Sequence, residues 1–303
     1  MHSLSHSFLT FLFTASTFLD SCYAAALPQQ LTVLSQTQVS SFQPYAYYAA
    51  AAYCKPSAIL SWSCGTNCQS KSFHPVASGG DGVVTQYWYV GYDEALQSVI
   101  VGNEGTKPTA ILPLIEDIEI SLKPLSPSLF PGIPSSVLVH QGFRDAHART
   151  ASAILDAVNA TLSLFLANQV TLVGHSLGGA ISLLSTLHLS LHLPPTTSLK
   201  TITFGLPRIG NQAFADLIDS HAPSFTLTRI TNARDPVPIL PGRFLGFRHP
   251  SGELHVDARS GAWVVCPGQE NTSSACTDGA VPNIFMSSEG DHDGPYAGVR
   301  TKC

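Results

Sequence analysis

The chain has 303 residues, of which 12% are charged, and a formal net charge of −5. That charged share is about half the ~25% usual in soluble globular domains, and the mildly negative balance argues against nucleic acid as a partner. No stretch is long and apolar enough to span a bilayer, and no linker, charge run or repeat divides the chain, so one large domain is expected.

Residues 1–26 read as a signal peptide that is cleaved, leaving a single domain over 27–303. Phe8 to Leu19 is a short apolar run and Ala24-Ala25-Ala26 offers a small-residue cleavage site, although the segment before the run carries His2 and His6 and no Lys or Arg. A secreted, extracellular location follows. Cys22 would leave with the signal, and Cys54, Cys64, Cys68, Cys266, Cys276 and Cys303 remain. An even number in a secreted chain points to disulfides, with about 15 connectivities open to six cysteines. Cys64–Cys68 and Cys266–Cys276 are near enough in sequence to close local loops, which leaves Cys54 with Cys303. No paired C-x2-C arrangement suggests zinc, and neither a metal nor a cofactor is expected. Asn159-Ala160-Thr161 and Asn271-Thr272-Ser273 are glycosylation sequons, the second inside the Cys266–Cys276 loop.

In chain order, helical spacing predicts a helix over 36–54, with Pro44 bending it or marking its first turn. Tyr87–Val90 and Ala95–Gly102 read as strands of a hairpin turning at Gly91–Glu94. Ala110-Ile111-Leu112-Pro113-Leu114-Ile115 is an apolar run between prolines. It suggests a lid over 107–116 that opens on a lipid surface. Asp117–Leu122 alternates like a half-buried strand. Ala146–Ala167 has the apolar period of a helix, which places Asn159 on its polar side. Strands are expected at Val170–Val173, Leu199–Phe204 and Phe225–Thr231, with helices at Ala180–Leu187 and Ala213–Asp219 between them. Two short strands follow within Leu254–Val265. This alternation predicts an α/β fold with a mostly parallel central sheet and helices on both faces.

Gly174-His175-Ser176-Leu177-Gly178-Gly179 lies where the first of those strands meets its helix. A serine at a sharp strand-to-helix turn, with glycines two residues either side, is the arrangement that exposes a nucleophilic hydroxyl beside a helix N-terminus. An acid is then sought in a loop after a strand, and Asp235, before Pro236, meets that condition. Asp216 and Asp219 read as a solvated helix face and Asp257 as part of a strand. The base should follow the acid. Of His249, His255 and His292, the last sits in the loop Gly290-Asp291-His292-Asp293-Gly294 near the C-terminus and can carry its ring over the sheet. His175 reads as structural because it is adjacent to the nucleophile, and His140 and His147 as support for the site's floor. Ser176, Asp235 and His292 therefore form the expected triad. The backbone N–H of Leu177 and the N–H and hydroxyl of Thr106 form the expected oxyanion hole.

With these residues in view the chain resembles the secreted fungal class 3 lipases, the filamentous-fungal triacylglycerol lipase family, over nearly all of 27–303. The likeness rests on Tyr45-Ala46-Tyr47-Tyr48 leading to Ala52-Tyr53-Cys54, Gly105-Thr106, His140-Gln141-Gly142-Phe143-Arg144, the Ser176 elbow, Phe204–Asn211 and Asp235-Pro236-Val237-Pro238. The intervals from Ser176 to Asp235 and from Asp235 to His292, 59 and 57 residues, also fit. The resemblance implies an α/β-hydrolase fold, the same triad, no metal, the Cys54–Cys303 bridge and a monomer. It implies hydrolysis of acylglycerols through an acyl-enzyme at an oil–water interface. Asn103-Glu104 departs from the family's usual pair before Gly-Thr, and the lid region is the least alike. A feruloyl or other soluble-ester esterase is the alternative, and a non-catalytic lipid-binding homologue a further one.

Overall fold

The apolar alternation along Gln169–His175 sends Leu172 to one face of a strand and Val173 to the other, and each meets its own core. A strand buried on both sides belongs in the middle of a parallel sheet covered by helices. A computed structural model of the protein describes residues 31–106, 121–221 and 224–303. The strands are β1 (Thr32–Val33), β2 (Phe73–Gly79), β3 (Trp88–Asp93), β4 (Ser98–Asn103), β5 (Leu122–Pro124), β6 (Leu138–His140), β7 (Gln169–His175), β8 (Ser198–Phe204), β9 (Gly210–Asn211), β10 (Phe225–Asn232), β11 (Phe247–Arg248), β12 (Glu253–Val256) and β13 (Trp263–Cys266). The main sheet runs β1-β13-β12-β10-β8-β7-β4-β3-β2. Its middle, from β12 through β10, β8 and β7 to β4, is parallel, and the strands outside are antiparallel. A smaller antiparallel sheet, β11-β9-β6-β5, lies apart from it.

The helices are α1 (Gln36–Ser40), α2 (Gln43–Ala51), α3 (Pro56–Leu60), α4 (Gln141–Ala148), α5 (Ala151–Phe165), α6 (Leu177–His192), α7 (Gln212–Ser220) and α8 (Thr277–Ala280). On one face of the sheet, α2 packs Tyr45, Ala46, Tyr48 and Ala49 against Ile100, Val173 and Ile202. On the other, α4, α5 and α6 bury Phe143, Ile154, Val158 and Leu184 against Val99, Val101 and Leu172. Helices thus cover both faces of the parallel strands.

Several boundaries differ from the sequence reading, each for a local reason. The expected 36–54 helix is two helices. Pro44 lies in the first turn of α2, where its missing N–H costs nothing. The hairpin turns later than expected, because β3 continues to Asp93, whose carboxylate accepts from the N–H groups of Ala95 and Leu96 at 2.8 and 3.1 Å and folds the turn. The expected 146–167 helix divides into α4 and α5; Thr150 at the junction takes the His147 carbonyl through both its N–H and its hydroxyl. β2, which the sequence reading omits, contains Pro75 and Gly79. It tolerates them as an edge strand with a register shift between Pro75 and Ala77. Asp257 follows β12 and caps the next turn by accepting from the Ser260 N–H and hydroxyl, rather than lying within the strand. The signal segment, the lid segment with Ala110, Ile111, Leu112, Leu114 and Ile115, and most of the Asp117–Leu122 strand lie outside the described residues.

Three disulfides join Cys54 to Cys303, Cys64 to Cys68 and Cys266 to Cys276. Asn159 is exposed on α5, while Asn271 spends its side-chain amide on the Pro267 carbonyl at 3.0 Å.

Candidate active site

β7 delivers Ser176 at the C-terminal edge of the parallel strands, and α6 starts one residue later. The turn is so tight that Ser176 has φ 59° and ψ −129°, a conformation that non-glycine residues adopt only where the surroundings hold it. Gly174 and Gly178 permit the turn: a Cβ on the first would collide with the Gly178 carbonyl, and one on the second with the Asn103 carbonyl. Backbone hydrogen bonds hold Ser176 there: its N–H donates to the Phe204 carbonyl at 2.9 Å, and the Gly179 and Ala180 N–H groups donate to the Ser176 carbonyl at 2.9 and 3.2 Å.

β10 ends in the turn that carries Asp235, whose N–H bonds the Asn232 carbonyl at 2.9 Å. The C-terminal loop docks onto the same turn: Asn232 Nδ2 donates to the Asp291 carbonyl, Arg234 N–H to the Asp291 carboxylate, and Ser288 N–H to the Arg234 carbonyl. This docking sets His292 Nδ1 at 3.0 and 2.9 Å from the two Asp235 oxygens, with both side chains buried. An N–H must lie on Nδ1 to face a carboxylate, so Nε2 is left with a lone pair able to accept a proton. Ser176 Oγ and His292 Nε2 are buried and neither has a hydrogen-bond partner. Such contacts between nucleophile and base commonly tighten only when substrate is bound.

His175 has a role that adjacency to Ser176 does not reveal. Its Nε2 lies 2.8 Å from the His292 carbonyl, which can only accept, so Nε2 carries the hydrogen and Nδ1 accepts from the Tyr53 hydroxyl at 2.6 Å. The Tyr296 hydroxyl donates to the same carbonyl at 2.9 Å. Burial, and secondarily the neighbouring His292, hold His175 well below the usual histidine range, so it stays neutral. Tyr53 also meets the loop that leads to Thr106, where a Cβ on Gly105 would strike its hydroxyl. Three segments far apart in sequence are thereby joined around Ser176. His175→Phe is expected to lower kcat by about 10-fold or more with a smaller change in KM, because the lost hydrogen bond leaves His292 less well placed. Steady-state kinetics beside a thermal melt of the variant check this.

Thr106 and Leu177 line one cavity of about 550 Å³ together with Val83, Val84, His140 and Phe143. The Asn103-Glu104 pair shapes the loop leading into it. Asn103 Nδ2 donates to Ser182 Oγ in α6, and Glu104 accepts the Tyr87 N–H at 2.7 Å. The loop after Asp235 is braced by buried Arg208, which donates to the Ile239 and Pro241 carbonyls and to Glu270 and Asp278.

The other candidates are occupied elsewhere. His255 bonds the Thr231 and Thr277 hydroxyls, and His249 donates to the Pro238 carbonyl. Asp216 accepts from Gln212 and Gln269, and Asp219 from Ser251. His147 is buried away from the triad residues against Phe130 and His188, whereas His140 lines the cavity beside Thr106. Among the described residues, the one grouping with metal-ligand spacing is Glu253, Cys266 and Cys276, whose sulfurs are joined in a disulfide. Tyr53, Tyr296, Asn232 and Arg208 escaped the sequence reading as parts of the site. Tyr53 and His175 are 122 residues apart, and no spacing rule connects them.

A family profile described as Lipase (class 3) matches residues 100–245. A secreted mono- and diacylglycerol lipase of Malassezia restricta, LIP2, is 31% identical over 199 residues, covering 65% of this chain and 61% of the relative; the chain thus matches less than two thirds of that protein. Secreted mono- and diacylglycerol lipase 3 of Gibberella zeae is 32% identical over 222 residues, 72% of this chain and 68% of the relative. Among solved structures, lipase II from Rhizopus niveus superposes with a TM-score of 0.76 at 25% identity, over 89% of this chain and 98% of that one. The central sheet and its flanking helices are those of an α/β-hydrolase. By sequence, and over nearly the whole described fold, the chain belongs to the class 3 lipase family.

Proposed function

We propose that the protein is a secreted triacylglycerol lipase, a serine hydrolase that cleaves acylglycerol esters through an acyl-enzyme. The observation that carries this reading is the buried His292–Asp235 pair together with a strained Ser176, whose chain neighbour Leu177 lines a cavity with Thr106. In this reading Ser176 Oγ attacks the ester carbonyl as His292 Nε2 takes its proton. Asp235 keeps the ring in the required tautomer and stabilises the imidazolium. The Leu177 N–H and the Thr106 N–H and hydroxyl receive the oxyanion. The Thr106 hydroxyl is buried with no other partner and so is free for that task. His292 then protonates the departing alcohol, and a water activated by the same ring releases the fatty acid. No step calls for a metal or cofactor.

Substrate is met at an oil–water interface by a monomer. Phe244 and Phe285 are 90% and 96% exposed. Phe244 lines a second cavity of about 610 Å³ with Leu240, Pro241, Leu245 and Val281, and Phe285 follows Ile284 of the same wall in the chain. Large exposed apolar side chains on segments that border one apolar cavity suit a lipid surface. The relatives named as mono- and diacylglycerol lipases favour a second reading, in which partial glycerides are preferred to triacylglycerols.

Initial rates on tri-, di- and monoacylglycerols, measured across each solubility limit beside a feruloyl ester, test these points. A rise at the limit with little feruloyl release is expected, and Phe244→Ser with Phe285→Ser should reduce that rise several-fold. Feruloyl or short-ester turnover without any rise would move the protein to the soluble-ester esterases.

A further inference from the structure

His140 closes β6 and caps α4, and its ring hydrogen can be placed from its surroundings. Nδ1 accepts the Gly142 N–H at 3.1 Å, so the hydrogen is on Nε2. That second N–H is buried and has no hydrogen-bond partner, although the side chain is only 1% exposed. A ring stack on Phe143, with centroids 4.2 Å apart, fixes the imidazole plane. The same residue lines the 550 Å³ cavity that holds Thr106 and Leu177, and the acyl-ester reading puts the oxyanion of an ester on Ser176 at those two residues, with its acyl group in this cavity. The walls are mixed: Val83, Val84 and Phe143 are apolar, while Gln86, Gln141 and Arg149 are polar. A hydrocarbon chain has no use for an oriented N–H, and a buried donor left without an acceptor is unfavourable.

We propose that His140 is a specificity-determining donor whose Nε2–H binds an oxygen atom carried on the acyl group. Esters of acyl chains bearing an ether, keto or hydroxyl oxygen are then preferred over plain chains of equal length. The inference rests on the acyl-ester reading above and adds the class of acyl group. A polar site of this kind discriminates because the analogue lacking the oxygen leaves the N–H unpaired, whereas added methylenes change affinity little. Burial lowers the His140 pKa to about 4, so at neutral pH the ring keeps one donor and one acceptor.

The test uses p-nitrophenyl esters of an eight-atom acyl chain, with an ether oxygen moved one position at a time, beside the plain octanoyl ester. For each, kcat/KM relative to the plain ester is taken in the unmodified protein and in His140→Asn. An asparagine Oδ1 can replace Nδ1 as acceptor for Gly142 N–H while the Nε2–H donor is lost. The ratio within each protein cancels any general change in activity. At one position the unmodified protein should favour the ether ester about 5-fold, the size of one hydrogen bond, and His140→Asn should return the ratio to near one. A ratio near one at every position, or the same preference in both proteins, overturns the assignment of His140 while leaving the esterase reading intact. No hydrolysis of any ester would overturn both.

Discussion

Ser176→Ala is expected to abolish ester hydrolysis, lowering kcat by about 10,000-fold or more while the protein remains folded and still binds lipid. A nucleophile in a triad acts as a unit with its base, so removing it alone forfeits nearly all that the three residues supply. The Ser176 hydroxyl makes no hydrogen bond in the resting site, so its loss unpairs nothing. Relief of the φ 59° turn does not accompany the change, because alanine is strained there as well. Stability should therefore stay near that of the parent. Asp235→Asn should cost about 10,000-fold through a different route. An amide NH2 facing Nδ1 would favour the wrong imidazole tautomer, with the proton on Nε2. Its oxygen could still accept the Val237 N–H, which now goes to Asp235 at 2.8 Å. Active-site titration and kcat measured beside a melting curve separate these effects from unfolding.

A second large effect is expected on acid stability. Burial lowers the pKa of His140 to about 4, of His147 to about 3 and of His188 to about 4, and holds His175 and His249 well below the ordinary value. Histidine in an unfolded chain titrates near 6.5. Above that pH neither state binds the proton, and stability is at its full value. Between about 6.5 and the folded pKa values the unfolded state binds more protons, so stability falls as pH falls. For a fully buried ring such as His147 the slope is about 1.4 kcal/mol per pH unit, or about 2 kcal/mol from pH 6.5 to 5. Asp278 opposes this in part, because burial and the nearby Glu270 raise its pKa and it is the folded state that gains a proton there. The histidines outnumber it, so a clear drop in urea midpoint from pH 7 to pH 5 is expected. His147 has no hydrogen-bond partner at either nitrogen. His147→Leu should hold its stability at pH 7 and reduce the steepness of that drop by about one proton. An unchanged slope in that variant would mean that His147 is not the buried neutral group described.

The parts of the site visible in the sequence are those where one local rule fixes both backbone and chemistry. Gly174-x-Ser176-x-Gly178 is such a case, because the nucleophile's turn cannot form if either glycine gains a Cβ. Asp235 is legible because a parallel strand ends just before it, and His292 because few histidines follow. The β7, β8 and β10 core reads clearly from its doubly buried apolar runs. Failures of the reading come where tertiary contacts override local pattern. β2 forms despite Pro75 because an edge strand has spare N–H positions. α4 and α5 share one apolar period but separate at Thr150. The bond from His175 to the His292 carbonyl spans 117 residues, and chain order alone gives no sign of it. The glycine-flanked Ser176 turn, the strand end before Asp235 and chain order pointed to the expected triad, whereas the hydrogen bonds that hold the His292 segment come from His175, Tyr296 and Asn232, with Tyr53 bonded in turn to His175.

The central claim is that Ser176 is the residue that becomes acylated. Treating the protein with a p-nitrophenyl alkylphosphonate, a covalent mimic of the tetrahedral intermediate, and locating the adduct by peptide mass spectrometry tests it most directly. The account predicts one phosphonyl group per chain, on Ser176, in step with the loss of activity and absent from Ser176→Ala. Phosphonylation of another residue that tracks inactivation, or full hydrolysis by a protein already labelled at Ser176, would contradict it.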